Sequence, residues 1–260
     1  MIFTGLNPTL GSAKDTSSYN PNVAGLVIEE IFDGVWTLNV SGRRGLDSEL
    51  KTFKRPLRSG NLLLNKQWPS REIILTLLLR PTKLSNSGGV ADEIVGRVSR
   101  GGIIPLTFAD AFGWTHYGVF AGYSTTEETN SNQMTLLLKF YCPDPYIYKN
   151  TVTLPPSKNV AIPTSNVGQP SFPQISFTAS ATTSTITNPS TGKSIHLTGL
   201  TIGNVVVLYL DADEPYPTVN GNVKYTIIDP LFDFAMFDVA PGQSVTSTDT
   251  ITVKYRERRL

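Results

Sequence analysis

The sequence predicts a mainly β protein of two domains. Short apolar runs separated by turn residues follow one another through the 260-residue chain, and those of the C-terminal half are rich in Thr, Val and Ile. The composition is 40% hydrophobic and 17% charged, with 21 Gly and 18 Pro, which is typical of a folded, turn-rich β protein. One helical pattern occurs, at residues 90–99, where Ala91, Ile94, Val95 and Val98 share a face before Gly101-Gly102.

The two domains are predicted to meet at KFYCPDPYIYKN, residues 139–150. An apolar strand pattern stops here, because Pro143 and Pro145 cannot donate to a sheet and restrict the residues before them. A passage rich in Pro, Ser and Asn follows, which is typical of a linker. We therefore expect one domain at 1–145 and a second at 146–260.

The N-terminal domain is predicted to contain antiparallel strands, because short turns and not helices separate its apolar runs. The runs 26–32 and 35–40 flank Asp33-Gly34, which predicts a β-hairpin. The residues before them predict only a short strand and loops. Further strands are expected at 62–64, 71–79, 103–108, 116–123 and 133–141.

The C-terminal domain is predicted to be a β-sandwich of jelly-roll type. Turns at 188–192, at Asn220-Gly221 and at Pro241-Gly242 separate short β-branched runs, and their spacing favours two packed sheets. The expected strands are 174–179, 183–187, 194–198, 205–210, 224–228 and 247–255.

The most basic part of the chain is SGRRGLDSELKTFKRPLRSGN, residues 41–61. Three interpretations are open: a solvated loop, an arm that contacts another protein, or a contact with nucleic acid. The nearby acids Asp47 and Glu49 favour the protein contact. The candidate interface residues of this arm are Arg43, Arg44, Lys51, Lys54, Arg55 and Arg58.

The sequence nominates no catalytic centre and no cofactor site. His116 and His196 each lie inside an apolar strand pattern, and the single cysteine, Cys142, excludes an internal disulfide and predicts a buried, inert thiol. The common nucleophile and zinc motifs are missing, and no apolar run is long enough for a membrane span. We therefore expect a non-enzyme that folds in a cytosol and contacts no membrane.

Two weaker patterns keep alternatives open. The cluster Asp211, Asp213 and Glu214 is interpreted as an exposed strand end, although it has the residue types of a calcium site or of a glycosidase pair acting on cell-wall polymer. The aromatic residues Trp114, Tyr117 and Tyr123 are interpreted as packing residues, although aromatics also bind sugar rings. A carbohydrate-binding module is therefore the alternative function. The glycines at 88–89 and 101–102 lack the lysine of a phosphate loop.

Three passages resemble the distal tail proteins (Dit) of long-tailed phages that infect Gram-positive bacteria. Residues 104–149 resemble the end of that family's N-terminal domain, residues 56–80 its return strand after a projecting loop, and residues 251–260 its closing strand. The first passage ends in a signature similar to C-x-D-P-x-x-Y, formed by Cys142, Asp144, Pro145 and Tyr148.

The resemblance implies an N-terminal β-sandwich or split-barrel domain with one helix, and a C-terminal galectin-like or jelly-roll sandwich. It also implies a virion protein of the tail tip, assembled in the host cytoplasm, whose N-terminal domains form a homo-hexameric ring. Such a ring would contact the tail tube protein, the tail-associated fibre or lysin protein, and receptor-binding or baseplate proteins. DNA would pass through its channel without specific binding, and the arm at about 41–61 would contact the next subunit.

Overall fold

The computed structural model describes residues 16–54, 61–81, 86–127, 132–166, 168–212, 214–230 and 233–260. The chain divides into two units, one comprising residues 1–147 with Leu260 and the other comprising residues 148–259. Both units consist mainly of antiparallel strands, so the predicted fold class is confirmed. Among the described residues, no helix has the length and apolar character needed to cross a membrane.

The described part of the N-terminal unit contains nine strands and two α-helices. They are β1 (Asn22–Val23), β2 (Leu26–Val27), α1 (Ile28–Ile31), β3 (Val35–Ser41), β4 (Glu49–Lys54), β5 (Asn61–Gln67), β6 (Arg71–Leu79), α2 (Ser87–Val98), β7 (Ile104–Thr107), β8 (Thr115–Glu127) and β9 (Met134–Cys142). Seven of the strands form one sheet in the order β2-β1-β7-β8-β9-β6-β3. The other two, β4 and β5, pair with each other.

The centre of this sheet is the pair β6 and β9, where the alternation of side chains produces a core. Ile73 pairs with Phe140, Leu75 with Leu138 and Leu77 with Leu136, and all six side chains are fully buried. The residues that alternate with them along each strand face the other side of the sheet, because successive residues of a strand point to opposite faces. β9 ends at Cys142, directly before Pro143.

The predicted helix is confirmed as α2. Its first turn is capped by Asn86, whose Oδ1 accepts a hydrogen bond from the Gly89 N–H at 2.6 Å. Val90, Ala91, Ile94 and Val98 are buried, which is the face that the helical spacing indicates.

The hairpin predicted around Asp33-Gly34 is wrong. Residues 28–31 form the short helix α1, β2 pairs with β1, and β3 pairs with β6. Gly34 has a φ of +74°, and an added Cβ would collide with the backbone at Arg80. The glycine thus serves a close approach between two distant segments and not a two-residue turn.

The C-terminal unit is a β-sandwich around its own apolar core. In chain order, its described strands are β11 (Val152–Thr153), β12 (Ser157–Ala161), β13 (Gln174–Thr178), β14 (Ser184–Asn188), β15 (Lys193–Leu197), β16 (Val205–Tyr209), β17 (Tyr216–Val219), β18 (Asn222–Val223), β19 (Ser244–Tyr255) and β20 (Arg258–Arg259), with β10 (Ile147–Tyr148) at the unit boundary. β14 pairs with the first half of β19, β11 and β13 pair with its second half, and β12 pairs mainly with the first half and reaches Ile251. One long strand therefore joins the two parts of the sandwich.

Five of the six strands predicted in this unit are present, and the sixth is wrong. Residues 225–227 form a 3₁₀ helix, as do 109–111 and 234–236. The turn at Asn220-Gly221 is confirmed, with φ values of +48° and +83° that suit a two-residue hairpin turn between β17 and β18.

Candidate subunit interface

Among the described residues, the most exposed element is the pair β4 and β5, which we call the arm hairpin (residues 49–54 and 61–67). The two strands pair in antiparallel register from Glu49 opposite Gln67 to Lys54 opposite Asn61. All thirteen residues are exposed to solvent. Within the described residues neither strand pairs with any other strand, so the hairpin is separate from the main sheet.

Both faces of the arm hairpin carry apolar side chains. Residues that lie opposite each other in an antiparallel pair share a face, so Phe53 and Leu62 lie on one face. Leu50 and Leu63 lie on the other. The register shifts by one residue at Leu64, which places Leu62 beside Phe53. These five side chains are between 39% and 57% exposed, which is unusual for so many large apolar groups in thirteen residues.

An isolated two-stranded hairpin is marginally stable in water, and its unpaired edges offer backbone donors and acceptors to another chain. The arm hairpin has two such edges and an apolar patch on each face. Its charges are Glu49 against Lys51, Lys54 and Lys66, so its rim is basic. Such a surface has the composition of a protein contact, with apolar groups at the centre and charges around them.

The chain leaves the main sheet for the arm at Gly42, directly after β3. Gly42 has a φ of +79°, and an added Cβ would collide with the carbonyl oxygen of Glu72 on β6. Only glycine combines this left-handed conformation with so close an approach to the neighbouring backbone. The start of the arm is therefore fixed against β6.

The end of the arm is fixed at the same place by Arg71, the first residue of β6. Its side chain is only 1% exposed, and burial lowers the pKa of its guanidinium. The guanidinium donates to the carbonyl oxygens of Gly42 at 3.2 Å and of Arg43, and twice to that of Pro145 at 3.0 and 3.3 Å. One side chain thus joins both ends of the arm to the segment that follows β9.

Arg43 lies at the root of the arm and is engaged within its own unit. It forms a two-pronged ion pair with Asp110, with Nη to Oδ distances of 2.6 and 2.7 Å. Its guanidinium carbon also lies 4.6 Å from the ring centre of Phe108 and 5.2 Å from that of Tyr19. The hydrogen bond from Arg43 is the main cause that lowers the pKa of Asp110.

The other predicted arm residues are placed as follows. Arg44 is exposed in the loop before β4, and Lys51 and Lys54 are exposed on opposite faces of that strand. Arg55 and Arg58 lie outside the described residues. The sequence prediction of this segment rested on its charge and did not include the apolar residues of the arm hairpin. Their signal was the interruption of a polar segment by Leu50 and Phe53.

The remaining candidates are dispersed. His116 is buried beside Phe108, and His196 Nδ1 lies 3.5 Å from Asp229 Oδ2. Trp114 is buried, so its ring is not available to a sugar. Asp211 and Glu214 are exposed, Asp213 lies outside the described residues, and the described part of the chain groups no three His, Cys, Asp or Glu side chains around a metal position.

Cys142 is buried at the end of β9, as the sequence predicts. Burial is the largest cause that raises the pKa of its thiol to about 11, with Asp144 adding to the rise and Arg71 opposing it. The thiol is therefore protonated at neutral pH and is a poor nucleophile.

Comparison with known proteins places this fold among phage tail proteins. Residues 166–258 match the family described as the siphovirus-type tail component, C-terminal domain. The chain is similar to the crystal structure of the SPP1 Dit (gp 19.1) protein, described as a paradigm of the hub adsorption apparatus in phages infecting Gram-positive bacteria. That match has a TM-score of 0.73 and 18% identity, and it covers 94% of this chain and 100% of that chain.

Two structures of the phage p2 baseplate in its activated conformation, one with Ca and one with Sr, also match. Their TM-scores are 0.49 and 0.48, each with 12% identity over 87% of this chain and 91% of theirs. A search of curated proteins found no match.

The similarity to phage tail proteins extends over both units. Residues 166–258 of the C-terminal unit match the siphovirus-type tail component family, and the fold of the SPP1 Dit protein is shared over 94% of the chain. The resemblance to the distal tail protein family that the sequence showed is therefore confirmed.

Proposed function

We propose that this protein is the hub of a siphovirus tail tip and forms a homo-hexameric ring through its N-terminal units. The observation that carries the proposal is the arm hairpin, which exposes apolar groups on both faces and pairs with no other strand among the described parts of its own chain. A ring requires a contact between two different surfaces of neighbouring copies. An arm on one subunit and a receiving surface on the next satisfy that requirement.

In this proposal the ring connects the tail tube to the tail-associated fibre or lysin protein. The C-terminal sandwiches would bind receptor-binding or baseplate proteins, and DNA would pass through the channel. Assembly takes place in the host cytoplasm and the protein ends in the virion. The role is structural and includes no catalysis, because function resides in contacts between proteins.

Native mass spectrometry of the full chain tests the ring. We expect a hexamer for the unmodified protein and a monomer for the double variant Phe53→Ser, Leu63→Ser, which removes one apolar group from each face of the arm. A matched control replaces two apolar residues of the C-terminal unit that are at least as exposed, Ile202→Ser and Met236→Ser. The control should remain hexameric. A monomeric unmodified protein at high concentration, or a hexameric arm variant, would contradict the proposal.

A further inference from the structure

The root of the arm hairpin is held by polar contacts that lie outside its own two strands. The Arg71 side chain donates to the carbonyl groups of Gly42 and Arg43, where the chain enters the arm. Arg71 itself is the first residue of β6, where the chain returns from the arm. The Arg43 side chain extends to Asp110, in the loop between β7 and β8. Two arginines therefore fix the root from two different sides.

The chemistry of these contacts suits rigid positioning. A guanidinium carries five donors in a planar fork, so Arg71 can hold three carbonyl oxygens in fixed directions where a lysine could not. A two-pronged pair between arginine and carboxylate likewise fixes orientation as well as distance. The Arg43 side chain is only 9% exposed, and the Phe108 ring shields it, so solvent weakens this pair less than an ordinary surface pair.

We propose that Arg43 and Arg71 form a clamp that fixes the direction of the arm hairpin in the free subunit, before a neighbouring subunit binds it. This inference rests on the proposed function of the arm. A freely swinging arm would lose orientational freedom on binding, and that loss would weaken every contact in the ring. A clamped arm has already lost that freedom during folding. Arg43 is thus a positioning residue, and the arm itself makes the contact.

The direction of the arm can be measured in a subunit that does not assemble. Nitroxide labels are placed at Lys54→Cys on the arm and at Asp92→Cys on α2, in the background of Phe53→Ser, Leu63→Ser. Cys142 is buried and protonated, so it remains unlabelled. We expect one narrow distance distribution, and a broad one after Arg43→Gln or Asp110→Asn. The double variant of Arg43 and Asp110 should be no broader than either single variant, because both remove the same contact.

Assembly gives the second readout. This readout uses the protein with the unmodified arm, which can assemble. There, Arg43→Gln should raise the protein concentration at which half of the subunits are assembled about tenfold. Tryptophan fluorescence of unfolding serves as the folding control, since all three tryptophans, Trp36, Trp68 and Trp114, lie in the N-terminal unit. Arg71 is buried among backbone carbonyls, and its replacement would test folding as much as direction. Arg43 and Asp110 therefore carry the experiment.

The outcomes separate the clamp from the ring. A distance distribution that stays narrow in Arg43→Gln overturns the clamp, whether or not the ring forms. A distribution that broadens, in a protein that never forms a hexamer, supports the clamp and contradicts the proposed function. Broadening together with weakened assembly supports both.

Discussion

Two consecutive strands of the N-terminal unit, β5 and β6, show how differently one chain can use apolar residues. β5 contains Leu62, Leu63 and Leu64 and is exposed at all seven positions. β6 begins only four residues after β5 ends and buries every second side chain from Arg71 to Leu79. The difference is not composition. β6 has a paired strand on each side, β3 and β9, whereas β5 pairs with β4 alone among the described strands. The exposure of β5 therefore follows from its lack of a second paired strand, and this exposure is the basis of the proposed subunit contact.

The largest expected effect lies in β6. Replacing Leu75 by Ala should lower the free energy of unfolding of the N-terminal unit by about 2 to 5 kcal/mol, because it leaves a cavity in a fully buried site. The matched change Leu63→Ala in β5 should alter it by no more than about 0.5 kcal/mol in the monomer. Urea unfolding followed by tryptophan fluorescence measures both values. Equal losses of unfolding free energy in the two variants would show that β5 is packed in the free subunit. The contrast between β5 and β6 would then be wrong.

The root of the arm gives the next effect. Gly42→Ala should lower the free energy of unfolding by more than about 2 kcal/mol, since the new Cβ meets the Glu72 carbonyl at a positive φ. Gly45→Ala is the control, because Gly45 also has a positive φ, +70°, but no atom within 4 Å of the added Cβ. It should cost only the conformational term, about 1 to 2 kcal/mol. Similar urea midpoints for the two variants would show that the close approach of Gly42 to the Glu72 backbone does not require glycine.

The arm hairpin exposes apolar side chains, whereas the C-terminal unit buries a polar one, Asp249. Asp249 is 3% exposed, and its Oδ1 accepts the Ser180 N–H at 2.9 Å. Burial alone would raise the pKa of Asp249, but hydrogen bonds from Ser180 and Ser184 outweigh burial and lower it. Asp249→Asn should therefore cost about 1 to 2 kcal/mol at pH 7.

The sign of the pH dependence follows from the lowered pKa. A carboxyl whose pKa is lower in the folded state stabilises that state above its ordinary value of about 4, and this stability is lost as the pH falls through the folded value. The difference between the wild type and Asp249→Asn should therefore shrink in acid. Urea unfolding followed by hydrogen exchange over β13 and β14, at pH 7 and pH 3, measures it. The exposed Asp211→Asn serves as control, and a difference that stays constant with pH would contradict this role of the charge.

The smallest expected effect concerns the Cys142 thiol, which we expect not to react with an alkylating reagent. Cys142, with a thiol pKa raised to about 11, should not be alkylated in the native protein at pH 7. A cysteine placed on the arm by Lys51→Cys, in the background of Phe53→Ser, Leu63→Ser, should be alkylated at the rate of an ordinary exposed thiol. Mass spectrometry after short exposure to iodoacetamide distinguishes the two sites. Rapid native labelling at Cys142 would show that the end of β9 opens readily.

Much of the fold could be predicted because local patterns and tertiary contacts agree. The alternation of Ile73, Leu75 and Leu77 predicts one buried face, and the register with β9 provides the partner for it. The helical spacing of Val90 to Val98 and the Asn220-Gly221 turn succeeded for the same reason. The failures are places where a distant segment decided the outcome. Gly34 resembles a turn glycine in sequence, but it lies against Arg80, far away along the chain.

The candidate site shows the same division. The sequence by itself determined that residues 41–61 are basic, that they are too polar for a core, and that the chain resembles the distal tail family. Only the tertiary structure decided that Arg43 binds Asp110, that Arg71 joins both ends of the arm, and that the exposed pair of strands extends to Gln67. The physical reason is that charge and periodicity are local properties of a sequence. Burial and pairing depend on which distant segments the fold brings together.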